Sequence, residues 1–226
     1  MAEFPFPIVG FDLDGTLLDT HADLGAAVNH ALSLAGRPPV PIGEMPRLIG
    51  GGTRKMLGRA LERSGGRLDE ASFDRLYADL LDYYRRNIAE QTRPYPGAEA
   101  VLDGLAMRGV KLAVVSNKLE SLTRQLLGEL GLTDRFATII GGDSLGVGRG
   151  KPQPDSLYEM LARLGDSAAA FVGDTTYDVR AARAAGLPVV AVSFGFHDVP
   201  PEELGADAVI DHFDELVPVL ERLSTG

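Results

Sequence analysis

Val9-Gly10-Phe11-Asp12-Leu13-Asp14-Gly15-Thr16-Leu17-Leu18-Asp19 carries the plan of the chain. Residues 8–11 form an apolar run that stops on an acid, the pattern of a strand buried in a parallel sheet. Two carboxylates two residues apart leave the strand's carboxyl end, the edge where open α/β sheets place their ligands. Gly15 lets the backbone turn away, and Thr16 offers a hydroxyl and an N–H to an anion. Asp12 and Asp14 stand too close for both to stay ionised at ease without a cation or a shared proton. Such a pair suits a divalent-metal site, or a nucleophile beside an acid/base partner. A bare Asp-x-Asp reads first as an acidic turn; Gly15-Thr16 after a buried strand moves the reading toward chemistry.

The rest of the chain bounds the answer. Its 226 residues suit one large domain, or one domain carrying a smaller insert. A 45% hydrophobic content is ample for a core, and no tract is of low complexity. The net charge of −10 argues against nucleic-acid or anionic-membrane surfaces, though not against a small anionic substrate. With no cysteine, disulfides and thiolate metal sites or nucleophiles are excluded. Met1-Ala2-Glu3-Phe4-Pro5 has no basic region and too short an apolar segment for export or spanning, so the expectation is a cytoplasmic protein, monomer or homodimer.

After Asp19 the texture becomes helical. Leu24, Val28, Ala31 and Ala35 keep helical spacing until Gly36-Arg37-Pro38-Pro39 stops them. Residues 40–52 read as loop, with Thr53 placed to cap a helix carrying Met56, Leu57, Ala60 and Leu61. A long stripe runs from Phe73 to Ile88. No buried strand is predicted between 20 and 92, so residues 19–92 are expected to form a small all-helical cap, with 1–18 and 93–226 as the α/β core. From Pro94-Tyr95-Pro96-Gly97 onward strand and helix alternate, which predicts a doubly wound parallel, Rossmann-like sheet. Pro152 and Pro154 are expected to hold Lys151 in extended chain.

The ends of the predicted strands are polar: Asp12 and Asp14, Ser116 and Asn117, Asp143, and Asp174 with Asp178, while Lys151 lies on a loop between. A parallel sheet lines such ends along one edge, where acids, a hydroxyl and a lysine would converge. The set resembles the haloacid dehalogenase-like hydrolase superfamily, mostly phosphatases. Its motifs match Asp12-Leu13-Asp14-Gly15-Thr16, Ser116, Lys151-Pro152 and Gly173-Asp174-Thr175-Thr176-Tyr177-Asp178 in order along the whole chain. Leu48-Ile49-Gly50-Gly51-Gly52, Val115-Ser116-Asn117-Lys118, Ile139-Ile140-Gly141-Gly142-Asp143 and Phe194-Gly195-Phe196 look like the phosphoglycolate phosphatase subgroup.

The resemblance implies a Mg²⁺-dependent phosphatase acting on a small phosphorylated metabolite. It implies Asp12 as nucleophile forming an aspartyl phosphate, Asp14 as acid/base, and Lys151 as the cation beside them. It places Mg²⁺ on Asp12, the Asp14 backbone carbonyl and Asp174, with Asp178 and Asp143 supporting from behind. Thr16, Ser116 and Asn117 are expected at the phosphate, and Arg54, with Arg47, at a substrate carboxylate such as that of 2-phosphoglycolate. His21, His30, His197 and His212 read as surface. Two rivals remain at this point: a sugar-phosphate phosphatase or phosphoglucomutase-like enzyme of the same superfamily, hinted at by Gly52-Thr53-Arg54, and a non-enzymatic phospho-aspartate receiver.

Overall fold

The computed structural model describes residues 4–223, so the extreme ends of the expected core segments, 1–3 and 224–226, lie outside the described residues. Six parallel strands form the sheet: β1 (Ile8–Phe11), β4 (Lys111–Val115), β5 (Thr138–Ile140), β6 (Ala169–Gly173), β7 (Val189–Val192) and β8 (Ala208–Ile210). Their order is β5-β4-β1-β6-β7-β8. The chain therefore winds outward in both directions from β1, and the switch point falls at Asp12. Register fixes what meets there. Phe11 lies opposite Val114 of β4 and Val172 of β6, so Asp12, Ser116 and Asp174 leave adjacent strands at the same edge.

The sheet is apolar on both faces, and the two-residue period of a strand sorts its side chains between them. Val9, Phe11, Leu112, Val114, Ala170 and Val172 pack with α4 (Ala98–Met107), α5 (Glu120–Glu129) and α8 (Leu216–Leu223). Ile8, Ala113, Val115 and Phe171 face the other way, against α6 (Asp155–Leu164) and α7 (Thr176–Ala184). This is the doubly wound architecture the alternation predicted.

Between β1 and β4 the chain carries α1 (His21–Leu34), α2 (Thr53–Arg63) and α3 (Glu70–Arg86). The segment read as loop contains a 3-10 helix at Ile42–Leu48, where Pro46 and the preceding Pro41 limit regular winding. Thr53 is the first helical residue and not the cap; its hydroxyl meets Tyr77 at 3.3 Å, and Gly52 takes the cap position. The insert is joined to the sheet by a short antiparallel pair, β2 (Leu18–Asp19) with β3 (Arg93–Pro94), which the sequence reading did not anticipate. Two residues per strand give too little periodicity to see. Lys151 does not sit in extended chain. It lies in a turn closed by Gln153 N–H to Gly150 O at 3.1 Å, with a cis peptide before Pro152.

Candidate active site

Asp12 begins where β1 stops, and its N–H still donates to Val172 O at 2.9 Å. A tight turn follows, with the Leu17 and Leu18 amides returning to Leu13 O. Gly15 has φ +87° there, and a Cβ would come within 2.2 Å of Asp174 Oδ2. Only glycine fits so close a pass between two strand ends.

Lys151 holds the acids together. Its Nζ lies 2.8 Å from Asp12 Oδ1 and 2.6 Å from Asp178 Oδ1, with the side chain fully enclosed. Asp178 Oδ2 accepts from the Thr175 amide at 3.0 Å and the Thr175 hydroxyl at 2.7 Å, capping α7. One carboxylate thus anchors a helix with one oxygen and the lysine with the other. Asp174 is wholly buried; Thr16 Oγ1 donates to its Oδ1 at 3.0 Å and the Phe196 amide to its Oδ2 at 2.7 Å.

Burial, partly opposed by Lys151, pushes the Asp12 carboxyl up to about 6. Burial and the neighbouring Asp178 and Asp12 charges hold Asp174 well above the ordinary carboxylate range. Burial alone would lower Lys151, but Asp12 and Asp178 outweigh it and leave its pKa raised. Oxygens of Asp12, Asp174 and Asp178 lie within 4.8 Å of one another. Three carboxylates against one ammonium leave excess negative charge in a buried space, and a hard divalent cation with oxygen ligands fits that deficit.

Asp14 turns elsewhere. Its Oδ1 lies 2.8 Å from Lys118 Nζ, which also donates to Tyr84 Oη at 3.0 Å. The expected repulsion between Asp12 and Asp14 is relieved by giving each its own lysine. The Asp14 side chain is outside the cluster formed by Asp12, Asp174 and Asp178. Lys118 was quoted in the Val115-Ser116-Asn117-Lys118 motif but given no role there. Two acids near one another and two lysines on strand-end loops were the available signal.

A narrow cleft covers these groups. Asp12, Asp14, Ser116, Asn117, Lys118, Lys151 and Asp174 form its floor; residues 49–53 and Met56 of the insert form its roof. Gly50, Gly51 and Gly52 all have positive φ, and a Cβ on Gly52 would come within 3.2 Å of Asn117 O. The loop therefore rests directly on the sheet edge.

Several expected roles move. Thr16 spends its hydroxyl on Asp174 and so orients that acid instead of offering it to an anion. Asn117 Nδ2 donates to Lys151 O at 2.9 Å and positions the lysine turn. Ser116 stays at the cleft, its Oγ accepting from the Lys118 amide at 3.2 Å. Asp143 accepts from the Glu120 amide at 2.8 Å and serves the start of α5, away from Lys151. Arg54 pairs with Asp74 at 2.5 Å and lies over the Phe73 and Tyr77 rings, so it does not line the cleft. Arg47 borders a separate outer groove. Of the histidines, His21 is half-buried and lies 2.5 Å from Asp19 Oδ1 beside β2.

Residues 9–192 match the model of the haloacid dehalogenase-like hydrolase family. The chain belongs to that family. A phosphoglycolate phosphatase of Agrobacterium fabrum (strain C58 / ATCC 33970) is 41% identical over 216 residues, covering 95% of this chain and 92% of the relative. One from Mesorhizobium japonicum is 42% identical over 220 residues, covering 96% of each. The crystal structure of a predicted phosphoglycolate phosphatase from Haemophilus somnus 129PT superposes with a TM-score of 0.88 at 29% identity, covering 96% of this chain and 99% of that one. The subgroup resemblance read from the strand-end motifs therefore holds, and the family member is a phosphatase. No helix among the described residues is long and apolar enough to cross a membrane.

Proposed function

We propose that this chain hydrolyses a small phosphomonoester, best 2-phosphoglycolate, through an aspartyl phosphate on Asp12. The observation that carries the reading is Lys151 Nζ bridging Asp12 and Asp178 beside the buried Asp174. Asp12 carboxylate attacks phosphorus; the ester P–O bond breaks, and Asp14 gives its proton to the leaving alkoxide. Asp14 then takes a proton from the water that attacks the acyl phosphate, which frees Asp12 and inorganic phosphate.

A carboxylate approaching a phosphate meets about 4 kcal/mol of repulsion per charge pair at ~4 Å and an effective dielectric of about 20. Lys151 offsets part of it. Asp12, Asp174 and the Asp14 carbonyl would hold Mg²⁺, which supplies the remaining positive charge when bound. Ser116 Oγ and the amides after Asp14 donate to the phosphoryl oxygens.

The insert, residues 19–92, acts as a cap that closes on the β2–β3 pair and excludes water. Its contribution at the cleft is the 50–52 backbone and the start of α2, a helix N-terminus that suits the carboxylate of a short substrate. The relatives named as phosphoglycolate phosphatases support that choice. With Arg54 paired to Asp74, the cap presents no arginine to a second phosphate, which disfavours the mutase alternative.

The test is phosphate release from a panel of phosphorylated metabolites with Mg²⁺, using wild type and Asp12→Asn. The expected result is the highest kcat/KM on 2-phosphoglycolate and a loss of at least about 10³-fold in the variant. Equal rates for the two proteins would discard the mechanism. A different preferred ester would replace the substrate and leave the chemistry.

A further inference from the structure

Lys118 and Tyr84 have no part in the scheme above, yet both are buried at the seam between sheet and cap. Lys118 follows the end of β4; Tyr84 sits on α3 of the insert. The Lys118 side chain is 1% exposed and Tyr84 is fully enclosed. Among the described residues, Lys118 Nζ hydrogen-bonds to Asp14 Oδ1, at 2.8 Å, and Tyr84 Oη, at 3.0 Å, and stands 4.8 Å from the Tyr84 ring centre. A lone lysine enclosed at this depth is costly, so a partner on each side is what holds it there.

We infer that Lys118 is a positioning residue that aims the Asp14 carboxyl at the leaving group, and that Tyr84 makes this aim conditional on the cap being seated. The inference rests on the acid/base reading of Asp14. With Oδ1 held by Lys118, Oδ2 is the oxygen left to carry and deliver the proton. Lys118 has four rotatable bonds and, among the described residues, no side-chain acceptor besides Asp14 and Tyr84, so Tyr84 Oη is the fixed point from which its ammonium reaches Asp14. When the cap lifts, α3 takes Tyr84 away; Lys118 and then Asp14 lose their fixed direction. An acid aligned only in the closed state gives its proton only to a substrate already enclosed against Asp12.

The experiment separates this from plain stability. Positioned proton donation matters for an alkyl phosphate, whose alkoxide leaves poorly, and little for p-nitrophenyl phosphate, whose phenolate leaves unprotonated. For Lys118→Met, kcat/KM on the alkyl ester is expected to fall about 10-fold further than on the aryl ester. Tyr84→Phe keeps the ring and removes only the hydroxyl; it should show the same bias at about 3-fold, with the melting temperature checked beside it. In an Asp14→Asn background, either substitution should then cost less than about 2-fold, because the residue it acts through is gone.

Equal losses on the two esters, or full additivity with Asp14→Asn, would overturn the inference. Should Lys118→Met not fold, Tyr84→Phe alone and with Asp14→Asn decides. If Asp14→Asn itself keeps wild-type kcat/KM on the alkyl ester, the acid/base reading fails first, and that result is distinct from additivity.

Discussion

Thr16 donates its hydroxyl to Asp174 Oδ1 at 3.0 Å across a separation of 158 residues, tying the turn after β1 to the end of β6. Asp174 is enclosed, and its other oxygen depends on the Phe196 amide. Thr16→Val keeps the shape and deletes the donor. It should destabilise the fold by about 1–3 kcal/mol in urea denaturation. It should also raise the Mg²⁺ concentration for half-maximal activity by about 10-fold, since a supporting hydrogen bond orients the acid. Thr16→Ser should recover most of both. An unchanged Mg²⁺ requirement in Thr16→Val would show that Asp174 needs no such guide.

Asp12 sets a pH dependence in the metal-free protein. Its carboxyl lies at about 6 in the fold against an ordinary 3.8, chiefly through burial. The folded state therefore binds more proton than the unfolded chain between those values, and stability falls as pH rises through that window. The span is worth about 3 kcal/mol at 1.36 kcal/mol per unit. Denaturation of wild type and Asp12→Asn without metal should give curves whose difference changes from pH 4 to pH 6 and is flat above about 7. Saturating Mg²⁺ should remove much of the slope, because the ion takes the ionised carboxylate. A difference independent of pH would place Asp12 in a more solvated setting.

The architecture and the converging acids were legible because strand ends are local signals: an apolar run stops on Asp12, Ser116 or Asp174, and a parallel sheet aligns them. Which group each side chain then faces was not legible. Thr16 and Asp174 are far apart in the sequence, and only the register of β1 on β6 brings them together. Lys118 was legible only as the last residue of Val115-Ser116-Asn117-Lys118, with no partner; Asp14 reaches it through the turn after β1, and α3 brings Tyr84 to the same ammonium. Asp143 was misplaced because its strand end supplies a helix N-terminus nearby, and local capping competes with the cleft.

Arg54 illustrates the same limit on the insert. Its spacing after three glycines suggested a substrate clamp, but α3 offers Asp74 and the Phe73 and Tyr77 rings one helix away. Arg54→Ala should therefore change KM for 2-phosphoglycolate and for p-nitrophenyl phosphate by the same factor. The stability cost should stay within about 1 kcal/mol, as for an exposed pair with a cation–π contact. A selective rise in KM for 2-phosphoglycolate would return Arg54 to the substrate.

Asp23 carries the joint between cap and sheet. Its buried carboxylate accepts from the Gln91 amide at 3.0 Å, the Thr92 amide at 2.8 Å and the Thr92 hydroxyl at 2.7 Å. The start of α1 is thereby fastened to the chain that enters β3, so both crossings of the insert are held at one point. Asp23→Ala strands the buried Thr92 donors and should cost about 2–3 kcal/mol; Asp23→Asn, which keeps an acceptor, should cost less. A looser joint lets the cap sample more orientations, so kcat and KM should change together, unlike the effect of a residue touching only the phosphate. Hydrogen exchange reads the cause directly: the amides of Gln91 and Thr92 should exchange faster in Asp23→Ala while those of β1 and β6 keep most of their protection. Wild-type exchange at residues 91 and 92 would mean that the β2–β3 pairing alone holds the cap in register.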